Sequence, residues 1–313
     1  MRAITVVEYG DPDVLRLVDR PVPVATDHRP VLIRMAATSV NPVELAIRRG
    51  LLAARTPNLS LPFTLGFELA GTVLETAGGF TAGQRVAGLL PWLKLGNGEG
   101  SNAEIVPAAA EWLTALPDGV DWVTAGSVPL NAQAARQALD NLAGYGPGHT
   151  LLVTGASGAV GAFATQFAVR DGLRVFAVAS DGDHDFVASL GAERVLARKP
   201  VADLVAEARS LVPGGVDAIF DAALLSGELI AAVRDGGSFG TATDAAAPAT
   251  ERGIAVSSVH ATPDAERLAT ILAAVADGGL VSRVQETFPL EQVHQAHKLT
   301  AAGRLRGKIV LTF

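Results

Sequence analysis

The stretch Leu151-Leu152-Val153-Thr154-Gly155-Ala156-Ser157-Gly158-Ala159-Val160-Gly161 decides the fold. A short apolar run suited to a buried strand enters a glycine-rich turn, and Ala162-Phe163-Ala164-Thr165-Gln166-Phe167-Ala168 continues as a helix. Strand, glycine turn and helix in that order are the context of a dinucleotide-binding fingerprint. Gly158 would let the backbone approach a pyrophosphate, and Gly161 would let the helix pack close on the strand. The free amides at the helix start, at the positive end of its dipole, attract phosphate. Ala156, Ser157, Gly158, Ala159 and Val160 are therefore candidate cofactor contacts. Ala156 stands where the usual G-x-G-x-x-G pattern has its first glycine. The alternative is an ordinary tight turn, and the repeating units around it argue against that.

Downstream, strands alternate with helices: Arg174 to Ala179, a helix from about Asp183 to Leu190, Arg194 to Ala197, a helix around Leu204 to Leu211, Val216 to Phe220, a short helix through Ala232, and Ser238 to Thr241. Units of this size predict a doubly wound parallel sheet with helices on both faces, a Rossmann arrangement. In such sheets ligands meet the strand tips, which makes Ala222, Gly240 and Thr241 candidates. The second strand ends at Ala179-Ser180, with Asp181 just beyond. A small tip leaves room for a 2′-phosphate, and the Ser180 hydroxyl could donate to it. Arg194 and Arg198 are the next cations, while Asp181, Asp183 and Asp185 would repel a phosphate. The balance favours NADP over NAD.

Upstream the pattern differs. Arg2 to Val7, Pro30 to Ala37, Gly71 to Thr76 and Gln84 to Leu90 read as strands punctuated by Pro and Gly. Ala125 to Ala143 reads as one long helix, Thr241 to Thr250 as an Ala-rich loop, and Ala265 to Ala276 as a helix. Phe288-Pro289-Leu290 opens another helix, and Gly307 to Phe313 is a strand that returns to the first domain. We therefore expect a β-rich domain from residues 1–120 and 260–313, and a nucleotide-binding domain from residues 121–259.

Composition narrows the function classes. The 313 residues carry 25 Lys and Arg against 32 Asp and Glu, a formal net charge of −7, which disfavours non-specific nucleic-acid binding. Mean hydropathy is +0.32, but Gly, Pro and charges interrupt the apolar runs well before the ~20 residues of a spanning helix. With no signal-peptide pattern at Met1 to Glu8, the expectation is a cytoplasmic protein without membrane partners. The chain has no Cys, so thiolate chemistry and Cys-ligated zinc are excluded, and only Tyr9 and Tyr145 offer phenols.

Thr154 to Gly161 also fits the T-G-x-x-x-[AG]-x-G mark of short-chain dehydrogenases. They carry it near the N-terminus with a later Tyr-x-x-x-Lys, and no tyrosine follows Tyr145. A β domain first and a nucleotide fold second resembles instead the medium-chain dehydrogenase/reductase superfamily, in its zinc-free quinone oxidoreductase branch. The resemblance spans the chain and rests on Ser39-Val40-Asn41-Pro42-Val43-Glu44, Gly66-Phe67-Glu68-Leu69-Ala70-Gly71-Thr72-Val73, the glycine turn, Leu190-Gly191-Ala192, and Gly303-Arg304-Leu305-Arg306-Gly307-Lys308-Ile309-Val310-Leu311.

The resemblance implies a GroES-like catalytic domain, a cofactor in the cleft between domains, and hydride transfer to a quinone or an α,β-unsaturated carbonyl. Zinc-dependent relatives have a Cys in the first segment and a His where Phe67 stands, and their structural zinc lobe is replaced by a short Trp92 to Ser101 loop, so no metal is expected. His294 and His297, spaced i,i+3, are read as a solvated helix face. Asn41 matches the nicotinamide end of the site, where its amide could contact the carboxamide or the substrate oxygen; an Asn-Pro turn residue is the equal alternative. Glu44, where the family usually has Asp, could orient the loop. Lys308 matches a position that can reach the cofactor phosphate, Glu68 could pair with a tail base, and Arg198 could stack on adenine or meet the phosphate.

Where relatives often read Thr-Ala-Tyr/Trp, this chain reads Gln133-Ala134-Ala135-Arg136, leaving Asn131 and Gln133 as polar candidates toward the substrate. The alternatives are a pathway-specific enoyl or ketone reductase of secondary metabolism, and a degenerate relative that binds nucleotide without redox chemistry. The expected partners are a small-molecule substrate and, by family analogy, a second copy in a homodimer.

Overall fold

The computed structural model describes residues 1–303 and 305–313; Arg304, in the tail motif, lies outside the described residues. Among the described residues the early strands are β1 (Arg2–Val6), β2 (Leu15–Asp19), β3 (Val31–Val40), β4 (Glu68–Val73), β5 (Arg85–Leu89), β6 (Ile105–Ala108) and β7 (Leu113–Ala115). The middle of the chain forms β8 (Thr150–Thr154), β9 (Arg174–Ala179), β10 (Arg194–Ala197), β11 (Val216–Asp221), β12 (Val233–Thr241) and β13 (Ala255–Ser258), and the tail forms β14 (Val284–Pro289) and β15 (Lys308–Thr312). The helices are α1 (Pro42–Arg48), α2 (Trp92–Leu95), α3 (Trp122–Ser127), α4 (Pro129–Asp140), α5 (Ala159–Arg170), α6 (His184–Ser189), α7 (Val201–Leu211), α8 (Ala265–Ala276) and α9 (Val293–Ala302).

The chain divides into two units, Met1–Leu130 with Thr262–Phe313, and Asn131–Ala261. The first unit holds a seven-stranded sheet in the order β14-β15-β3-β4-β5-β7, with β6 also pairing β3. Its core gathers Val31, Ile33, Met35, Leu69, Val73, Val86 and Val106. Three strand ends meet at one corner. Ile309 pairs with Val40, so β15 delivers Lys308 beside Asn41 just after β3 ends. β4 runs antiparallel to β3 and begins at Glu68, whose carbonyl accepts from the Thr38 hydroxyl at 2.8 Å.

The second unit is a six-stranded parallel sheet in the order β10-β9-β8-β11-β12-β13. Every residue of β8 is buried, as expected of a strand covered on both faces. In sequence rank this order is 3-2-1-4-5-6, the Rossmann arrangement, and it reverses between β8 and β11.

Several boundaries differ from expectation for identifiable reasons. The unit boundary falls after Leu130 rather than at 120, because α3 packs on β3, β4 and β15 of the first unit. A Cβ added at Gly126 would lie 2.9 Å from Ala37 Cβ. The single helix expected over 125–143 is two, α3 and α4, since Pro129 has no N–H to continue α3 and starts α4 instead. The strand expected over 71–76 starts earlier, at Glu68. Phe288 and Pro289 end β14 rather than opening a helix, and the Trp92 to Ser101 loop contains α2. Strand β13 was not foreseen. No helix of the described residues is long and apolar enough to cross a membrane.

Candidate functional site

The turn after β8 has separate tasks for its three glycines. Gly155 sits at φ +61°, in the left-handed region that permits the sharp exit from the strand. A Cβ at Gly161 would lie 2.2 Å from the Gly155 carbonyl oxygen, so only glycine lets α5 sit against the turn. Gly158 caps α5 at φ −81° and ψ 166°, and a Cβ there would meet nothing closer than 3.3 Å. The first amides of α5, Ala159 and Val160 among them, have no acceptor within the helix. The candidate Ala156 is fully buried and its amide donates to the Val178 carbonyl at 3.1 Å, so it ties the turn to β9 and has no free amide for a phosphate. Backbone amides beside an open glycine form a cradle that fits a diphosphate.

At the reversal point, two neighbouring strand ends are tied together. The Thr154 hydroxyl donates to Asp221 at 2.5 Å and accepts from the Ala223 amide at 3.1 Å. The buried Asp221 carboxylate also accepts from the Leu225 amide at 2.9 Å. Between them Leu224 adopts φ 55°, uncommon for a residue with a side chain and held by these bonds. Ala222 lies in this loop. On β12, Gly240 and Thr241 are buried at the strand's end, and the Thr241 hydroxyl has no hydrogen-bond partner. A buried, unanswered hydroxyl beside the reversal point suits a polar ligand. Sequence reading missed Asp221; an acidic residue at the end of an apolar strand was the available signal.

Ser180 and Arg198 are brought together. Ala197 pairs with Ala179, and the Arg198 amide donates to the Ala179 carbonyl at 2.9 Å, so both residues leave adjacent strands at the same end. Both are exposed.

The first unit contains a buried polar network. The Asn41 side-chain amide donates to Glu44 Oε1 at 3.1 Å and to Glu68 Oε2 at 3.2 Å, while its oxygen accepts from Lys308 Nζ at 2.5 Å. Lys308 Nζ lies 3.5 Å from Glu68 Oε2, and Glu68 Oε1 accepts from the Leu130 amide at 3.1 Å. Asn41 is 2 % exposed and Lys308 4 %, and both carboxylates are fully buried. Glu68 thus does pair with a tail base. Both donors of the Asn41 amide are engaged by protein carboxylates, and Lys308 is held by Asn41 and Glu68. Burial pushes the Glu44 carboxyl up to about 7 and pulls the Lys308 ammonium down, with Glu68 and Glu44 opposing the latter shift.

Phe67 is buried against Trp92, ring centroids 5.8 Å apart, and Trp92 packs on Phe63 at the same distance. An aromatic cluster at this position, in a chain without Cys, does not fit a zinc ion, and among the described residues no three His, Asp or Glu side chains gather as metal ligands. Asn131 and Gln133 are buried on α4. Arg136 binds Asp140 and Asp171 and donates to Tyr145 at 2.8 Å, so the residue replacing the family's aromatic braces the second unit. The expected solvated face on α9 is not one. His294 Nε2 contacts the Leu15 carbonyl at 3.0 Å, and His297 is fully buried.

Residues 27–118 match the alcohol dehydrogenase GroES-like domain, and residues 190–311 match a domain described as zinc-binding dehydrogenase. A quinone oxidoreductase of Pongo abelii is 32% identical over 99% of this chain and 97% of its own length. A 2-methylene-furan-3-one reductase of Solanum lycopersicum is 27% identical over 99% of this chain and 79% of its own. Among solved structures, the quinone oxidoreductase from Coxiella burnetii superimposes with TM-score 0.88 at 26% identity, covering 100% of this chain and 99% of that one. A mycobacterial protein complexed with NADPH gives TM-score 0.86 at 26% identity, covering both chains fully.

Proposed function

Because the chain belongs to the quinone oxidoreductase branch of the medium-chain dehydrogenase/reductase superfamily, we propose that it is an NADPH-dependent reductase of quinones or α,β-unsaturated carbonyl compounds. The observation that carries the reading is the glycine cradle at the head of α5, set where the parallel sheet reverses. A bound NADPH supplies the hydride. The amides of Ser157, Ala159 and Val160 would hold its pyrophosphate while Gly158, its own amide bonded to the Gly155 carbonyl, leaves room for the approach, and Ser180 with Arg198 would meet the 2′-phosphate through a charge-assisted hydrogen bond. Ala222, Gly240 and Thr241 line the strand ends, where the Thr241 hydroxyl gains a partner.

With Phe67 in an apolar cluster, negative charge developing on the substrate oxygen falls to hydrogen-bond donors placed in advance. We assign that contact to Asn131. Asn41, its donors committed to Glu44 and Glu68, is a positioning residue, and so is Lys308; a reach to the cofactor phosphate would require its present contacts to open. Water supplies the proton that completes the reduced product.

Fluorescence titration with NADPH and NADH, followed by a panel of quinones and enones, tests the reading. NADPH is expected to bind more tightly and to turn over with at least one acceptor. Binding of neither nucleotide, or of nucleotide without turnover on any acceptor, overturns it. Arg198→Ala is expected to weaken NADPH about tenfold, ~1.4 kcal/mol, and to leave NADH unchanged.

A further inference from the structure

Arg48 ends α1 and His297 lies on α9, and these two helices pack on each other. Both side chains are 0 % exposed. All three guanidinium nitrogens of Arg48 and both ring nitrogens of His297 are without a hydrogen-bond partner in the protein. The arrangement is unusual. Buried polar groups are almost always satisfied, and a buried charge without a counter-charge is the costliest exception. A guanidinium cannot escape by losing its proton, and all its polar atoms are donors.

Among the described residues no carboxylate forms an ion pair with it. Asp11 and Asp13 are the acidic groups whose charge reaches Arg48, and both side chains stand in solvent. Asp11 faces Arg49 at 3.4 Å and Asp13 faces Lys298 at 3.5 Å. The remaining charge acting on the two side chains is positive or neutral: Arg49 acts on Arg48, while Arg48 and His294 act on His297. Burial and these cations keep the His297 imidazole neutral, holding it down to about 3. A neutral imidazole still presents one N–H.

We propose that Arg48 and His297 form an internal binding site for a small monovalent anion of the halide class, chloride in particular. Arg48 has donors only, and a neutral His297 adds one N–H, so the ligand accepts hydrogen bonds. The Arg48 cation is in no ion pair among the described residues, so a negatively charged ligand is favoured. Neither side chain reaches the surface, so the ligand is monatomic or nearly so. The anion joins α1 to α9 and thereby ties the segment after β3 to the tail of the chain. The proposal is independent of the redox reading.

Thermal unfolding of the full chain, at constant ionic strength with sodium chloride replacing sodium gluconate, tests it. Between about 1 mM and about 100 mM chloride, a site with a dissociation constant near 10 mM raises the folding constant about tenfold, a shift of about 2 °C. Bromide is expected to do the same, and Arg48→Met is expected to abolish the dependence. Equal chloride dependence in wild type and Arg48→Met, or none in wild type, overturns the proposal. Should the variant not fold, crystals of the wild type soaked in bromide decide it. An anomalous peak in contact with the Arg48 guanidinium and His297 ring supports the site; a water there, without anomalous signal, refutes it.

Discussion

Gly158 and Gly161 lie one helical turn apart, yet the structure gives them opposite vulnerabilities. In Gly161→Ala the new methyl would stand 2.2 Å from the Gly155 oxygen and 2.7 Å from its carbon, both backbone atoms. Reaching even 3.0 Å, the closest approach real Cβ atoms make, requires α5 to move off the turn by about 0.8 Å. Overpacking of this kind costs about 1–3 kcal/mol, and up to about 1 kcal/mol returns because alanine suits a helix better than glycine. The net loss of about 1–2 kcal/mol lowers the melting temperature by about 2–3 °C. In Gly158→Ala the backbone is already compatible with alanine, and the nearest contact is 3.3 Å. The gain of about 0.4–1 kcal/mol from a stiffer unfolded chain is offset by alanine's poorer capping of α5, so stability should stay about level. The methyl, however, stands among the free amides of α5, and NADPH affinity should fall about tenfold or more, ~1.4 kcal/mol. Thermal unfolding and NADPH fluorescence titration on both variants check this. If Gly158→Ala melts as early as Gly161→Ala, or binds NADPH like wild type, the division of labour in the turn is wrong.

Three more expectations follow from the described contacts. Glu44 is raised from 4.5 to about 7, so its stabilising contribution is complete below about pH 4.5 and lost as pH rises through about 7, by about 3 kcal/mol. Glu44→Gln should flatten that slope in thermal melts and be the more stable protein at about pH 8, while an unchanged slope would place the buried charge elsewhere. Asp221→Asn weakens the bonds from Thr154 and Leu225, and should cost about 1–3 kcal/mol in urea unfolding; an effect below about 0.5 kcal/mol would remove the tie from the account. β13 is an edge of the parallel sheet, and we propose that a homodimer forms through it, so light scattering should report a dimer that Ser257→Lys converts to monomer.

Strands β8 to β11 of the second unit were legible because each is a short apolar run bounded by turn residues, with a helix between one and the next. Gly161 could be assigned its packing role from spacing alone. β13 could not be read, since Ala255 to Ser258 has no apolar run and becomes a strand only by pairing with β12. The start of β4 was misplaced for a related reason. Glu68 is an unlikely first residue for a buried strand until Lys308 arrives from the far end of the chain to face it. The same distance in sequence hid the true state of Asn41, whose turn-forming and amide-contact roles looked equal when its partners were unknown. The i,i+3 spacing of His294 and His297 identifies a helical face but not what covers it. Ser180 and Arg198, by contrast, were proposed separately, and parallel strand pairing sets them side by side.

Strand β15 carries one more consequence, for the order of events at the ribosome. It lies between β14 and β3 in the interior of the first unit's sheet, so that unit cannot close until residue 312 has been made. The second unit, whose strands all come from one continuous segment, is complete in the chain beforehand. The domain begun first is finished last, and for most of synthesis the apolar side of β3 waits for its neighbour, a period when incomplete chains expose a strand edge and invite aggregation. A stop after Gly307 would remove few residues yet take an inner strand and the Lys308 brace together.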